Sequence, residues 1–320
     1  MNATLTLAVP FFGLVVLGYV VGKLLIIPRE GLGALNGFVN YVALPGLFFS
    51  LVAETPIEDI VGPSFVVTTA FSTYCAFAIA FSVGALLNRG NVPDATVQGL
   101  AGSWSSTALL APGLTIAMLG PAAASPTALV FCFDAAILMT VTPLMMALGG
   151  LDQRSPADMA PAIVRQVLLN PIVIATVLGL LAAFVELSLP GPIDAVFAML
   201  RGAAAPAALF AAGAILATVQ TASAPRELPY LAAVKLLVHP MIVYVLLSWV
   251  GDFPPVWIYS AVLVAALPLA PEVLAYARKY NVFEGKAAPA ALIISVLSVV
   301  TLTALIYLIG NRILPADLFP

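Results

Sequence analysis

Charge is what this sequence has least of. Of its 320 residues only 8% are Asp, Glu, Lys or Arg, while 62% are hydrophobic; a soluble domain carries roughly 25% charged residues. So little charge cannot cover a water-facing surface, which excludes a soluble globular protein. A single histidine, His239, excludes a multi-histidine metal site. The two cysteines, Cys75 and Cys132, both lie in apolar runs and read as small core residues rather than a disulfide or a metal pair. There is no basic tract and the net charge is only −3, so nothing points to nucleic acid. A cleavable signal peptide is not expected either: the first apolar run starts at Leu5 without a basic leader, is too long for a signal core and reads as the first spanning helix.

What is present is a succession of apolar runs of about 20 residues, the length that spans a bilayer. They fall near Leu5–Leu25, Gly33–Ala53, Ser64–Leu87, Thr96–Gly120 and Ser125–Leu148, then near Ala160–Val185, Ile193–Val219, Leu228–Val250, Trp257–Arg278 and Ala287–Ile309. The expected fold is therefore an all-α polytopic membrane protein with ten transmembrane helices. Basic residues prefer cytoplasmic loops. With the N-terminus outside, the inner loops and flanks hold Lys23, Arg29, Arg89, Arg154, Arg165, Arg226, Lys235, Arg278, Lys279 and Lys286, and the outer ends hold only Arg312. The outer loops carry Glu54, Glu58, Asp59, Glu186, Asp194 and Asp252. Both termini are expected outside the membrane.

The two sets of five runs echo each other. Pro10 and Pro171 stand 161 positions apart, as do Pro45 and Pro206, and Thr140 and Thr301. A Leu-Ala-Pro triplet ends at Pro112 in run four and at Pro271 in run nine. Residues 1–150 and 151–320 thus read as two five-helix repeats. An odd number of spans inverts the second repeat against the first, the plan of secondary transporters.

The most informative stretch is Ala265–Val282. It is apolar, yet Pro268 and Pro271 stand where the middle of a spanning helix belongs, and each removes a backbone donor. Lipid cannot satisfy the freed groups, so a break there should line a protein-enclosed cavity. Pro112 gives run four a matching break, and two broken helices 4 and 9 in inverted halves would cross. Half-helix N-termini then favour an anion, and freed carbonyls favour a cation.

Candidate binding residues gather around this crossing. Glu272, a carboxylate inside the membrane, is expected to act at the site or in carrying a coupling ion or proton, with helix capping or ion pairing as the plain alternative. Asp134 in run five is the second coupling candidate, or a helix–helix hydrogen bond. Arg201, two turns into run seven, suits a carboxylate substrate through a bidentate pair, or pairs with Glu272, or snorkels. Asn40 is its repeat mate and offers an amide. Ser105, Ser106 and Thr107 precede the first break and offer hydroxyls, unless these bond back to their own helix. Lys235 and His239 share one helical face, Lys235 near the inner surface as an anchor or on an exit path. No catalytic residue, metal or cofactor is expected. An intramembrane hydrolase would need a nucleophile paired with a base, and no such pairing is visible.

Several of these stretches carry a resemblance. Phe38–Ser50 (FVNYVALPGLFFS), Asn170–Leu181 (NPIVIATVLGLL), Lys235–Pro240 (KLLVHP), Ala266–Pro268 and Ala277–Val282 (ARKYNV) resemble the auxin efflux carrier family. That family includes plant PIN proteins and bacterial malonate-permease-like carriers. The likeness covers nearly the whole chain. Ser105, Ser106 and Leu110 stand where the family often has Asn-Thr and then Gly-x-Pro, and Arg201 and Glu272 depart from its pattern. The resemblance implies the inverted-repeat plan of sodium/proton antiporters and bile-acid transporters. It implies a scaffold of helices 1, 2, 6 and 7 and a moving transport domain of helices 3–5 and 8–10, with dimers through the scaffold in some members. The expected function is secondary transport of a small organic anion, such as malonate or an auxin-like acid, by elevator-type alternating access in a bacterial inner membrane. The rivals are a Na⁺- or H⁺-coupled symporter of another solute and a non-transporting membrane sensor.

Overall fold

The computed structural model describes residues 3–24, 28–55, 63–151, 155–218 and 224–318. Glu58, Asp59 and Arg154, used above for orientation, lie outside the described residues. The architecture is all-helical. After α1 (Ala3–Leu24) come α2 (Arg29–Phe38) and α3 (Leu44–Ala53), joined by a π-turn over Val39–Ala43. Pro45 accounts for that turn. Its ring would collide with the carbonyl four residues back, and a wider turn, closed by Leu44 N–H on the Val39 carbonyl, makes room.

The chain continues through α4 (Pro63–Leu87), α5 (Val92–Ser103), α6 (Ala111–Leu119) and α7 (Ala124–Leu148). Next are α8 (Pro156–Leu168), α9 (Pro171–Phe184) and α10 (Gly191–Ala217). A second π-turn, Val234–Val238, links α11 (Leu228–Ala233) to α12 (His239–Val250) just ahead of Pro240. The last segments are α13 (Pro255–Ala265), α14 (Pro271–Tyr280) and α15 (Glu284–Gly310).

Six of these rods are long and apolar enough to cross a membrane: Glu30–Ala53, α4, Pro121–Leu148, α10, Leu228–Val250 and Gly285–Gly310. The pair α8 and α9 would make a seventh, bent by 61°. The bend follows from Asn170-Pro171. Pro171 opens α9 without needing its missing N–H, and the Asn170 side chain accepts from Ile172 N–H (3.0 Å) and Val173 N–H (3.4 Å).

Polarity runs opposite to that of a soluble domain. Leu24, Leu86, Phe184, Met199 and Trp249 are exposed, while Thr68, Thr69, Ser72, Thr73, Gln98, Asp134, Lys235 and His239 are buried. An apolar outside around a polar interior is what hydrocarbon selects. This is a polytopic membrane protein.

Two packing groups organise the rods. In one, α1 lies along α10 and α3 along α9, with α10 also against α3. In the other, α4 packs against α5, α7 and α12, and α12 against α13. The α1–α10 contact depends on reciprocal glycines. A Cβ at Gly18 would stand 2.1 Å from the Phe210 carbonyl oxygen, and one at Gly213 would stand 1.9 Å from that of Val15. Only small residues let two backbones approach so closely, and membrane helices use them where no hydrophobic effect drives association.

Candidate functional site

The site is built where α5 and α13 stop. Around the end of α5 the sequence reads Ser103-Trp104-Ser105-Ser106-Thr107, short hydroxyl residues that compete with the helix for its backbone. Thr107 Oγ1 donates to the Ser105 carbonyl at 3.1 Å, fixing a non-helical turn, and the helix resumes only at Ala111. Helix α13 ends at Ala265, ahead of Pro268, which disfavours helical backbone in the residue before it. It resumes as α14 with Pro271 at its first position.

The two unwound stretches meet and satisfy each other. Ser105 and Leu269 form an antiparallel bridge. Ser106 N–H donates to the Pro268 carbonyl (2.9 Å), and Ala270 N–H to that of Trp104 (3.1 Å). Backbone groups that leave a helix in a membrane need partners, and here each break supplies them to the other. The first break thus lies over residues 104–110, upstream of Pro112. Pro112 itself sits in the first turn of α6, where its ring costs no hydrogen bond.

A charged chain of contacts runs beneath this crossing. Lys235 is fully buried, and its ammonium donates to the Ala265 carbonyl at the end of α13 (2.6 Å) and to Ser105 Oγ (2.8 Å). It is therefore not an inner-surface anchor and does not count toward orientation. His239 Nδ1 stands 3.4 Å from Lys235 Nζ, and His239 Nε2 stands 3.5 Å from Thr73 Oγ1. Thr73 Oγ1 in turn donates to Asp134 Oδ1 at 3.1 Å. Asp134 and Lys235 thus stand at the two ends of one buried polar chain, a carboxyl group and an amine linked through Thr73 and His239. A buried ammonium is tolerable only when acceptors and a counter-charge surround it, and the carbonyl end of a broken helix is such an acceptor.

Three cavities divide the residues singled out from the sequence: two border the crossing, and the third lies along α6 and α10. Ser105, Thr107, Asp134 and Glu272 line one of about 70 Å³ together with Asn170. Ser106, Pro268 and Pro271 line another of about 70 Å³ with Phe11, Phe12 and Ser298. Pro112 and Arg201 line the largest, about 550 Å³, with Gly113 and Glu54. Glu272 occupies the first turn of α14, where a carboxylate complements the positive end of the helix. Arg201 does not meet Glu272. Its guanidinium pairs with Glu54 and, at 3.4 Å, with Asp194. The Asn40 amide turns back one helical turn onto the carbonyl and side-chain oxygens of Asn36, both at 2.9 Å.

Lys235, His239, Thr73, Asn170 and Glu54 join the site although the sequence placed none of them at the crossing. The first two were read from the sequence as sharing one helical face, with Lys235 an anchor near the inner surface or on an exit path; the structure instead buries both against the crossing.

A polar-cored helical membrane protein with two broken, mutually bonded helices has the construction of a membrane transporter. The comparisons agree. The family model described as "Membrane transport protein" matches residues 4–307. A protein of Rhizobium meliloti (strain 1021) named "Putative malonate transporter" is 42% identical over 314 residues, covering 98% of each chain. The chain belongs to this membrane transport family, that of the auxin efflux carriers.

Proposed function

We propose that this transporter is a secondary carrier of a small carboxylate-bearing anion, with the substrate held at the crossing of the two broken helices. The observation that carries the reading is the crossing itself: two unwound stretches bonded to each other, a buried lysine joining both, and a small cavity on each of two sides. Discontinuous helices of this kind present half-helix ends to substrates and ions. The relative's name makes malonate the first anion to test.

On this reading the six long rods, the bent α8–α9 pair, α1 and the two broken pairs α5–α6 and α13–α14 are ten spans. They form two inverted repeats with both termini outside and the chain in a bacterial inner membrane. The group α1, α3, α9 and α10, tied by close glycine contacts, is the scaffold. The group built on α4, α5, α7, α12 and α13 moves against it as an elevator. The 550 Å³ cavity shared by Arg201 and Gly113, and one of about 350 Å³ shared by Glu54 and Trp257, lie between these groups at the end of the molecule assigned to the outside. That supports an outward-open arrangement.

A coupled symporter is the second reading, and Asp134 favours it over Glu272. Asp134 is buried and tied to Lys235 through Thr73 and His239, whereas Glu272 already has a structural role at the start of α14. The test is uptake into proteoliposomes of malonate, other dicarboxylates and indole acetate, with and without imposed pH and Na⁺ gradients. Flux of at least one anion is expected. No flux of any of them, with the protein folded and inserted, refutes the carrier reading.

A further inference from the structure

Arg201 stands at a place the crossing alone does not explain. It projects from α10, its side chain is 22% exposed, and it lines the 550 Å³ cavity that Pro112 and Gly113 of the first turn of α6 also line. Two carboxylates hold it. Asp194 lies seven residues earlier on the same helix face, and Glu54 comes from the end of α3. Both acids are half exposed at their side chains, 49% for Asp194 and 55% for Glu54. A pair that open to water is weak and readily exchanged. The guanidinium offers five donors in a fork shaped for a carboxylate. A cation facing a cavity of this size, held by two half-exposed acids, is available to another carboxylate.

Resting on the carrier reading, we propose that Arg201 is the specificity-determining residue for the second carboxylate of a dicarboxylate substrate, and that Glu54 is the built-in carboxylate the substrate displaces. One substrate carboxylate is held beside Pro112 and Gly113, where α6 has no acid in its first turn. The other takes the Glu54 position on Arg201. Glu54 swings into water and returns when the substrate leaves. Because Glu54 also lines the neighbouring 350 Å³ cavity with Pro254 and Trp257, it has room to move within the space that these cavities provide. Glu54 therefore competes with substrate, and Arg201 selects two carboxylates over one.

A structural tie between α3 and α10 would make the two partners equivalent; a competing counter-ion makes them opposite. The test compares malonate with its monomethyl ester, which has one carboxylate on nearly the same frame, in proteoliposomes of wild type, Arg201→Gln, Arg201→Lys and Glu54→Gln. Malonate-induced thermal stabilisation of the purified proteins is read in parallel. Expected for Arg201→Gln is a rise of about 10- to 100-fold in the malonate concentration for half-saturation, the usual loss for a charged hydrogen-bonded contact, with monoester transport unchanged. Arg201→Lys should recover part of it. Glu54→Gln should move the other way, lowering that concentration by about 3- to 10-fold as competition disappears. If wild type carries malonate but Arg201→Gln and Glu54→Gln shift it in the same direction, or Arg201→Gln weakens both compounds equally, the inference falls and the carrier reading stands. If wild type neither transports nor is stabilised by any organic anion, the carrier reading falls and takes the inference with it.

Discussion

The two breaks that meet at the centre of this protein are not equivalent. After the break between α13 and α14, the helix resumes with Pro271-Glu272, so its positive end carries its own acid. After the break between α5 and α6, it resumes with Ala111-Pro112-Gly113, and no acid stands in the first turn. The first cavity outside α14 is small and shared with Asp134; the one outside α6 is about eight times larger and shared with Arg201. A helix start that holds a carboxylate already has its anion, and one that opens on a cation-bearing cavity has a place for a foreign one. On the carrier reading, the same backbone device serves as a fixed element on one side and as a receiving element on the other.

The largest effect is expected where the two breaks are held together. Lys235 bonds Ser105 of the first and the Ala265 carbonyl before the second, so Lys235→Met should abolish anion flux. It leaves the Ala265 carbonyl and the Ser105 hydroxyl without their donor, at a cost of about 1–3 kcal/mol for a buried group left unpaired, and removes the amine at the far end of the chain of contacts that reaches Asp134. A thermal melt should show that loss, and adding Asp134→Asn should restore part of it; equal melting of the single and double variants would mean the two groups do not communicate.

Making the breaks alike is the next test. Gly113→Asp gives α6 the acid that α14 has. Malonate flux should drop at least about tenfold, since a carboxylate would occupy the positive end that the carrier reading gives to substrate; because a Cβ at position 113 would stand 3.1 Å from the Leu209 side chain, Gly113→Ala is the packing control and should keep most of the flux. Undiminished flux would place the anion elsewhere. The converse change, Glu272→Gln, should have the smallest effect. It removes a helix-end interaction worth about 0.3–1 kcal/mol and should leave any response of transport to pH or Na⁺ gradients in place. Loss of that response would return Glu272 to a coupling role.

Much of this was legible in the sequence. The scarcity of charge and the lengths of the apolar runs demanded a membrane protein, and Pro112, Pro268 and Pro271 marked both breaks. The exact extent of the first break was hidden, because a proline is as acceptable in the first turn of a helix as at a kink. Pro112 starts α6, and the unwinding comes from the hydroxyl-rich residues before it. Arg201 and Glu272 were both legible as costly charges, but their partners were not. Arg201 could have reached several acids, and the one it finds on α3 lies 147 positions away.

By itself the sequence determined what local chemistry can dictate: which segments tolerate hydrocarbon, and where a ring without an N–H interrupts them. Tertiary structure decided which orphaned backbone groups would meet and what would neutralise them. The acceptors around Lys235 lie 30 and 130 positions away in the chain. No spacing rule reaches that far, since a buried charge is stabilised by whatever packing brings within hydrogen-bond distance. Lys235 read as an anchor near the inner surface and became the joint between two broken helices for that reason.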